Sequence, residues 1–141
     1  MDEIPSMGLV YALWRRSASR ALAPFSITFS QLQLIQLARR RGAISLSFAA
    51  RELSWDRPTT SLVARKCVAG LWLSRNRSSA DRRSARLSLT GEGEELLDRI
   101  EASRTLAPES LGDPLDVLAS EERAEFRRAL DKISRRARDI L

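Results

Sequence analysis

Two helix caps, Ser45 and Asp56, stand so close that only a helix of about two turns and a tight turn fit between them. Leu46 to Leu53 reads as that short helix, with Phe48, Ala49 and Leu53 facing inward, and Ser54 and Trp55 are left for the turn. After Asp56, Pro58 falls in the first turn of the next helix, where a missing N–H is harmless. Leu62, Val63 and Cys67 mark its inner side until Gly70. Two helices joined in this way form a helix-turn-helix. A plain helical bundle does not account for the segment beyond Gly70. Trp72 to Arg75 and Ala85 to Leu89 alternate apolar and polar residues like two strands of a hairpin. The polar, Arg-rich stretch 76–84 between them reads as a basic wing, too long for a tight turn.

The flanks read as helices. Between Met7 and Leu22 the residues Val10, Leu13, Trp14, Ala18, Ala21 and Leu22 recur at helical intervals until Pro24 intervenes. Phe29 to Leu34 reads as an S-x-x-Q capping box at Ser30 with a Phe/Leu staple. A second helix then runs from Ser30 to the stop Arg39-Arg40-Arg41-Gly42. Thr90 caps a helix with Glu92, Glu94 and Glu95 in its first turn, the sign its dipole favours, and an apolar stripe of Leu96, Leu97 and Ile100. Pro108, Gly112 and Pro114 make a loop of 107–119. Ser120 starts a last helix with a narrow stripe, Phe126, Leu130, Ile133, Ala137 and Ile140, suited to packing on another helix. The expected fold is mainly α with a small β-hairpin, a single winged-helix domain over 1–141. There is no internal repeat.

Composition narrows the chemistry. The 141 residues are 43% apolar, enough for one core, and contain no His and a single Cys. Ser-His and Cys-His catalysis, an internal disulfide and a multi-Cys metal site are thereby excluded. No catalytic step, cofactor or metal is expected. No apolar run approaches bilayer length and the N-terminus carries two acids, so a soluble cytoplasmic protein without a membrane partner is expected. The net charge is +6, and it is unevenly spread. Residues 1–50 hold six bases against two acids, 51–90 nine against three, and 91–141 nine against thirteen. A basic middle before an acidic end suits a polyanionic partner, and a solvated mixed-charge surface is the plainer alternative.

Two constellations fall in that basic middle. Arg57, Ser61 and Arg65, at i, i+4 and i+8, lie on one polar face of the second helix of the pair, with Thr60 beside them. Arg can contact guanine through both arms of its fork, and Ser and Thr can contact bases or phosphates, which suits the major groove. The wing holds Arg75, Arg77, Arg82, Arg83 and Arg86 against Asp81, which stands two residues before Arg83 and can hold one guanidinium. Such a hairpin can follow phosphates or enter a narrow minor groove.

The run Asp56-Arg57-Pro58-Thr59-Thr60-Ser61-Leu62-Val63, then Trp72-Leu73-Ser74-Arg75, then Asp81-Arg82-Arg83-Ser84-Ala85-Arg86-Leu87-Ser88-Leu89-Thr90-Gly91-Glu92-Gly93, resembles the MarR family of bacterial winged-helix transcription regulators. The resemblance is close from Phe29 to about Ile100. It implies a homodimer on double-stranded DNA, with 29–90 as the DNA-binding lobe and 7–28 and 91–141 as dimerisation helices. Arg57, Pro58, Thr59, Thr60, Ser61 and Arg65 then belong to the recognition helix, and Asp81, Arg82 and Arg83 to the wing tip. Leu71 stands where the family has Gly before W-L-x-R, which moves the left-handed helix cap to Gly70.

The expected function is a sequence-specific DNA-binding repressor on a pseudo-palindromic operator, released by a small-molecule effector in the cleft between dimer helices and lobe. The alternative is a winged-helix module that binds protein without reading bases, which calls for exposed aromatics on the recognition helix. Cys67 is expected as a buried structural thiol, and Trp14, Trp55 and Trp72 as core.

Overall fold

The computed structural model describes the backbone of residues 2–78, 81–106 and 114–141, and the side chains of these except 78, 81–84 and 104–106. Helix α1 spans Glu3–Leu22, α2 Phe29–Arg41, α3 Leu46–Leu53, α4 Arg57–Ala69, α5 Gly91–Leu106 and α6 Ser120–Ile140. Strands β1 (Ile44–Ser45), β2 (Leu73–Ser78) and β3 (Asp81–Leu89) form an antiparallel sheet in the order β1-β3-β2. Short 3-10 turns cover Ala23–Phe25 and Pro114–Val117.

Local signals set most boundaries. Ser45 accepts the Phe48 amide at 3.1 Å and starts α3, and Gly42, at φ 76°, ends α2. The cap of α2 is a correction. Thr28, not Ser30, accepts the Gln31 amide at 3.1 Å, while the Gln31 side chain takes the Thr28 amide at 2.9 Å. The box is therefore T-x-x-Q, and the apolar residues flanking it at N′ and N4 are Ile27 and Leu32, both buried. Ser30 lies inside the helix, where its hydroxyl accepts from Arg15 at 3.0 Å.

The core sits where α2 crosses the sheet. Leu34, Ile35, Leu37, Ala49, Cys67, Leu73, Leu87 and Leu96 are sealed from solvent, and each large apolar side chain so buried contributes about 1.5–3 kcal/mol. Trp14, Trp55 and Trp72 pack against this core only half-buried. Strand β1 has no counterpart in the sequence pattern, because two residues carry no alternation. It exists because Ile44 and Ser45 pair with Leu87 and Arg86 and bury Ile44. The connector expected over 76–84 is mostly strand, with β2 continuing to Ser78 and β3 beginning at Asp81.

The end of α4 also departs from expectation. Gly70 keeps a right-handed φ of −77° and Leu71 takes the left-handed position at φ 66°. The amides of Leu71 and Trp72 donate to the carbonyls of Val68 and Cys67, both at 3.0 Å, so the cap is not shifted to Gly70. A left-handed Leu is strained by its Cβ, and at 64% exposure its side chain recovers little by packing. Leu71→Gly is therefore expected to raise stability by roughly 0.5–1 kcal/mol, after the larger chain entropy of glycine is deducted. Urea unfolding measures it, and a destabilised variant would show that Leu71 packs against something.

Candidate nucleic-acid interface

Helix α4 is held by its ends and one side. The Asp56 carboxylate accepts the Thr59 amide at 2.6 Å, which holds its pKa below the ordinary carboxylate value. The buried side is Thr60, Val63, Ala64 and Cys67. Desolvation pushes the Cys67 thiol up to about 12, so it is packing and not a reactive thiolate.

This burial corrects two expectations. Thr60, expected on the open face, is 1% exposed, and its hydroxyl donates to the Asp56 carbonyl at 2.8 Å. It cannot reach DNA without unwinding the first turn. Leu62, expected on the inner side, is 46% exposed. At about 100° per residue the open face is centred on Pro58, Leu62, Arg65 and Ala69, with Ser61 on one flank and Thr59 and Lys66 on the other. Pro58, Thr59, Arg65 and Lys66 are exposed and Ser61 is partly so.

Arg57 leaves this row. It sits a quarter turn towards α3, and its Nη1 donates to the Ser47 hydroxyl at 2.6 Å, tying the first turns of α3 and α4 together. Its remaining N–H groups stay at the surface. Sequence reasoning missed Ser47, since a spacing of ten residues across a turn has no periodic signature. It also missed Lys66, whose exposure follows from the rotation of the helix.

In the hairpin, Arg75 and Arg77 are opposite Leu87 and Ala85 and share one face, whereas Arg86, opposite Asn76, lies on the other. All three are exposed, and Arg86 is steadied by donating to the Ala43 carbonyl at 3.3 Å. The side chains of Asp81, Arg82 and Arg83 lie outside the described residues. Among the described residues no carboxylate comes within 4.0 Å of Arg57, Arg65, Arg75, Arg77 or Arg86. Arg39, by contrast, pairs with Asp98 at 3.0 Å and Glu94 at 3.4 Å, and Arg41 with Glu52 at 3.6 Å. The acids thus neutralise Arg39 and Arg41 and leave the guanidiniums of α4 and the hairpin without a carboxylate partner among the described residues, the arrangement that attracts a polyanion.

Helix α1 exposes Ile4, Met7, Leu9, Val10, Tyr11 and Leu13, and α6 exposes Phe126, Ile133 and Ile140. Between these helices and α2 is a cleft of about 760 Å³, lined by Val10, Tyr11, Trp14, Phe29, Gln36 and Phe126 among others. Trp14 meets Phe29 edge-on at 4.9 Å and so borders the cleft as well as the core. Among the described residues no cluster of His, Cys, Asp and Glu could hold a metal, and no helix is long and apolar enough to cross a membrane.

No family model matches the sequence, and a comparison of the sequence with curated proteins finds no match. Solved structures are similar in fold. MarR of E. coli in its apo form superposes with a TM-score of 0.75 at 19% identity, over 94% of this chain and 97% of that one. A mutant of the same protein complexed with operator DNA gives 0.78 at 21% identity, over 92% and 91%. A MarR family protein of Mycobacterium tuberculosis, in complex with salicylic acid, gives 0.68 at 26% identity, over 94% and 96%. The chain therefore has the MarR winged-helix fold.

Proposed function

We propose that this chain, which has the winged-helix fold of the MarR family, is a cytoplasmic transcription regulator that binds a pseudo-palindromic DNA operator as a homodimer. The observation that carries this reading is the positive surface built by α4 and the hairpin on a fold whose E. coli example is solved on operator DNA. In this reading α4 enters the major groove with Pro58, Thr59, Ser61 and Arg65. The hairpin, with Arg75, Arg77, Asp81, Arg82, Arg83 and Arg86, follows the adjacent backbone or minor groove. Residues 29–90 act as the DNA-binding lobe. The reading calls for no catalytic residue. The exposed face of α4 offers guanidinium and ammonium groups and no aromatic ring, which supports a nucleic-acid partner over a protein one.

The dimer part rests on the large apolar residues that α1 and α6 leave in solvent, which a partner helix would cover. Sedimentation at micromolar concentration is expected to give twice the mass of the chain, and a strict monomer there would rule out paired half-sites. The cleft beside Trp14 is of a size to hold a small aromatic effector, and a MarR family protein of similar fold is solved in complex with salicylic acid. Binding there would bias the spacing of the two lobes and release the operator. Selection of duplexes from a random pool by the full-length protein, followed by footprinting, tests the whole. An enriched inverted repeat is expected, and failure to retain any duplex above an uncharged control protein overturns the reading.

A further inference from the structure

Leu62 stands near the middle of the open face of α4, roughly 150° from the centre of the side that buries Thr60, Val63, Ala64 and Cys67. Nearly half of its surface meets solvent, although the same helix finds room inside for a threonine. Leu62 is not among the apolar residues packed against the core, and a polar residue at this exposure would satisfy the helix as well. Its neighbours on the face are Pro58 and Arg65, with Ser61 and Lys66 to either side. An apolar point framed by cations does not match an apolar protein surface, which would leave those charges desolvated and unpaired. It does match the major groove, where the phosphates take the cations and the C5-methyl of thymine is the apolar group on the base edges.

We propose that Leu62 is a specificity-determining residue that contacts the C5-methyl group of a thymine in each half-site. The proposal rests on the DNA-binding reading above and adds a base to it. Leu62 has no hydrogen-bonding atom, so its selectivity comes from burying the methyl group against its own branched end, and cytosine or purine at that position leaves both partly wet. Arg65, one turn on, fixes the register by hydrogen bonds that Leu62 cannot supply.

The test uses the full-length protein and the operator enriched from the random pool. Wild type and Leu62→Ala are titrated against that operator and against copies in which each thymine in turn is replaced by deoxyuridine, a change that removes the methyl group alone. At one thymine per half-site the replacement is expected to weaken wild-type binding about fourfold, the effect of one buried methyl group. Leu62→Ala is expected to bind the thymine operator more weakly, to be indifferent to deoxyuridine at that position, and to melt with the wild type because the side chain is outside the core. Leu62→Ala binding equal to wild type, or a deoxyuridine penalty that persists undiminished in the variant, overturns the proposal while the DNA-binding reading stands. If the protein binds every duplex alike, base reading itself fails, and this inference with it.

Discussion

Gly93→Ala is expected to cost about 3 kcal/mol of stability and roughly 10 °C in melting temperature, the largest effect of a methyl group added at any described glycine. Gly93 is buried in the first turn of α5, and a Cβ there would lie 2.4 Å from the Trp72 carbonyl oxygen and 2.6 Å from a Leu89 methyl. The leucine tip can rotate away. The carbonyl cannot, because it also accepts the Thr90 amide at 3.1 Å, and Thr90 is the cap whose hydroxyl takes the Gly93 amide at 3.0 Å and donates to the Leu71 carbonyl at 2.5 Å. The end of α4, the start of β2 and the start of α5 are thus tied within one turn, and Gly93 is the point where they meet. Gly91, two residues earlier, has nothing within 4 Å of its would-be Cβ. Gly91→Ala is therefore the control, expected within about 0.5 kcal/mol of wild type. Equal melting temperatures for the two variants would show that the backbone approach at Trp72 is not tight.

The second large effect concerns DNA binding, and it separates two arginines that the sequence places in one row. Arg65 is on the open face with no partner among the described residues, whereas Arg57 is bound to Ser47 and turned towards α3. Arg65→Ala is expected to lower affinity for the operator by about 1–3 kcal/mol and to relax preference at one base pair. Arg57→Ala should weaken operator and random DNA alike, and lower the slope of log affinity against log salt by about one contact, as expected of a phosphate clamp. Ser47→Ala should weaken binding less than Arg57→Ala does, because the charge remains and only its placement is lost. In the double variant it should add nothing further. Loss of base preference in Arg57→Ala, with an unchanged salt slope, would return Arg57 to the reading face.

The face of α4 shows where sequence patterning reaches its end. A hydropathy scale puts Leu62 inside and Thr60 outside, and the fold does the reverse. Thr60 can be buried at little cost because its hydroxyl is satisfied by the carbonyl of Asp56, one turn back, leaving only its methyl and methine atoms to the core. Val63, Ala64 and Cys67 then set the inner side, and Leu62 has no place on it. The capping box expected at Ser30 fails for a similar reason, since Thr28 and Ser30 both precede a glutamine by three residues and only the packing of Ile27 and Leu32 decides between them.

What the sequence by itself determined, the α2 cap excepted, is what is written in signals that act within one turn of backbone. Ser45, Asp56, Thr90 and Gly42 placed helix ends, and the short gap after α3 made the helix-turn-helix. The D-R-R-S string, with Thr90-Gly91-Glu92-Gly93 after it, carried the resemblance to a winged helix. Hydrogen bonds between near neighbours suffice for the helix ends, so they are legible residue by residue. The tertiary structure alone decided which way α4 is rotated, that Leu71 bears a left-handed backbone, that Arg57 is tethered to Ser47, and that Ile44 and Ser45 form a strand. Each of these depends on an atom supplied from another element, as when Leu87 pairs with Ile44 or the Thr90 hydroxyl holds the Leu71 carbonyl. Burial is a property of two surfaces, and a linear pattern describes only one of them.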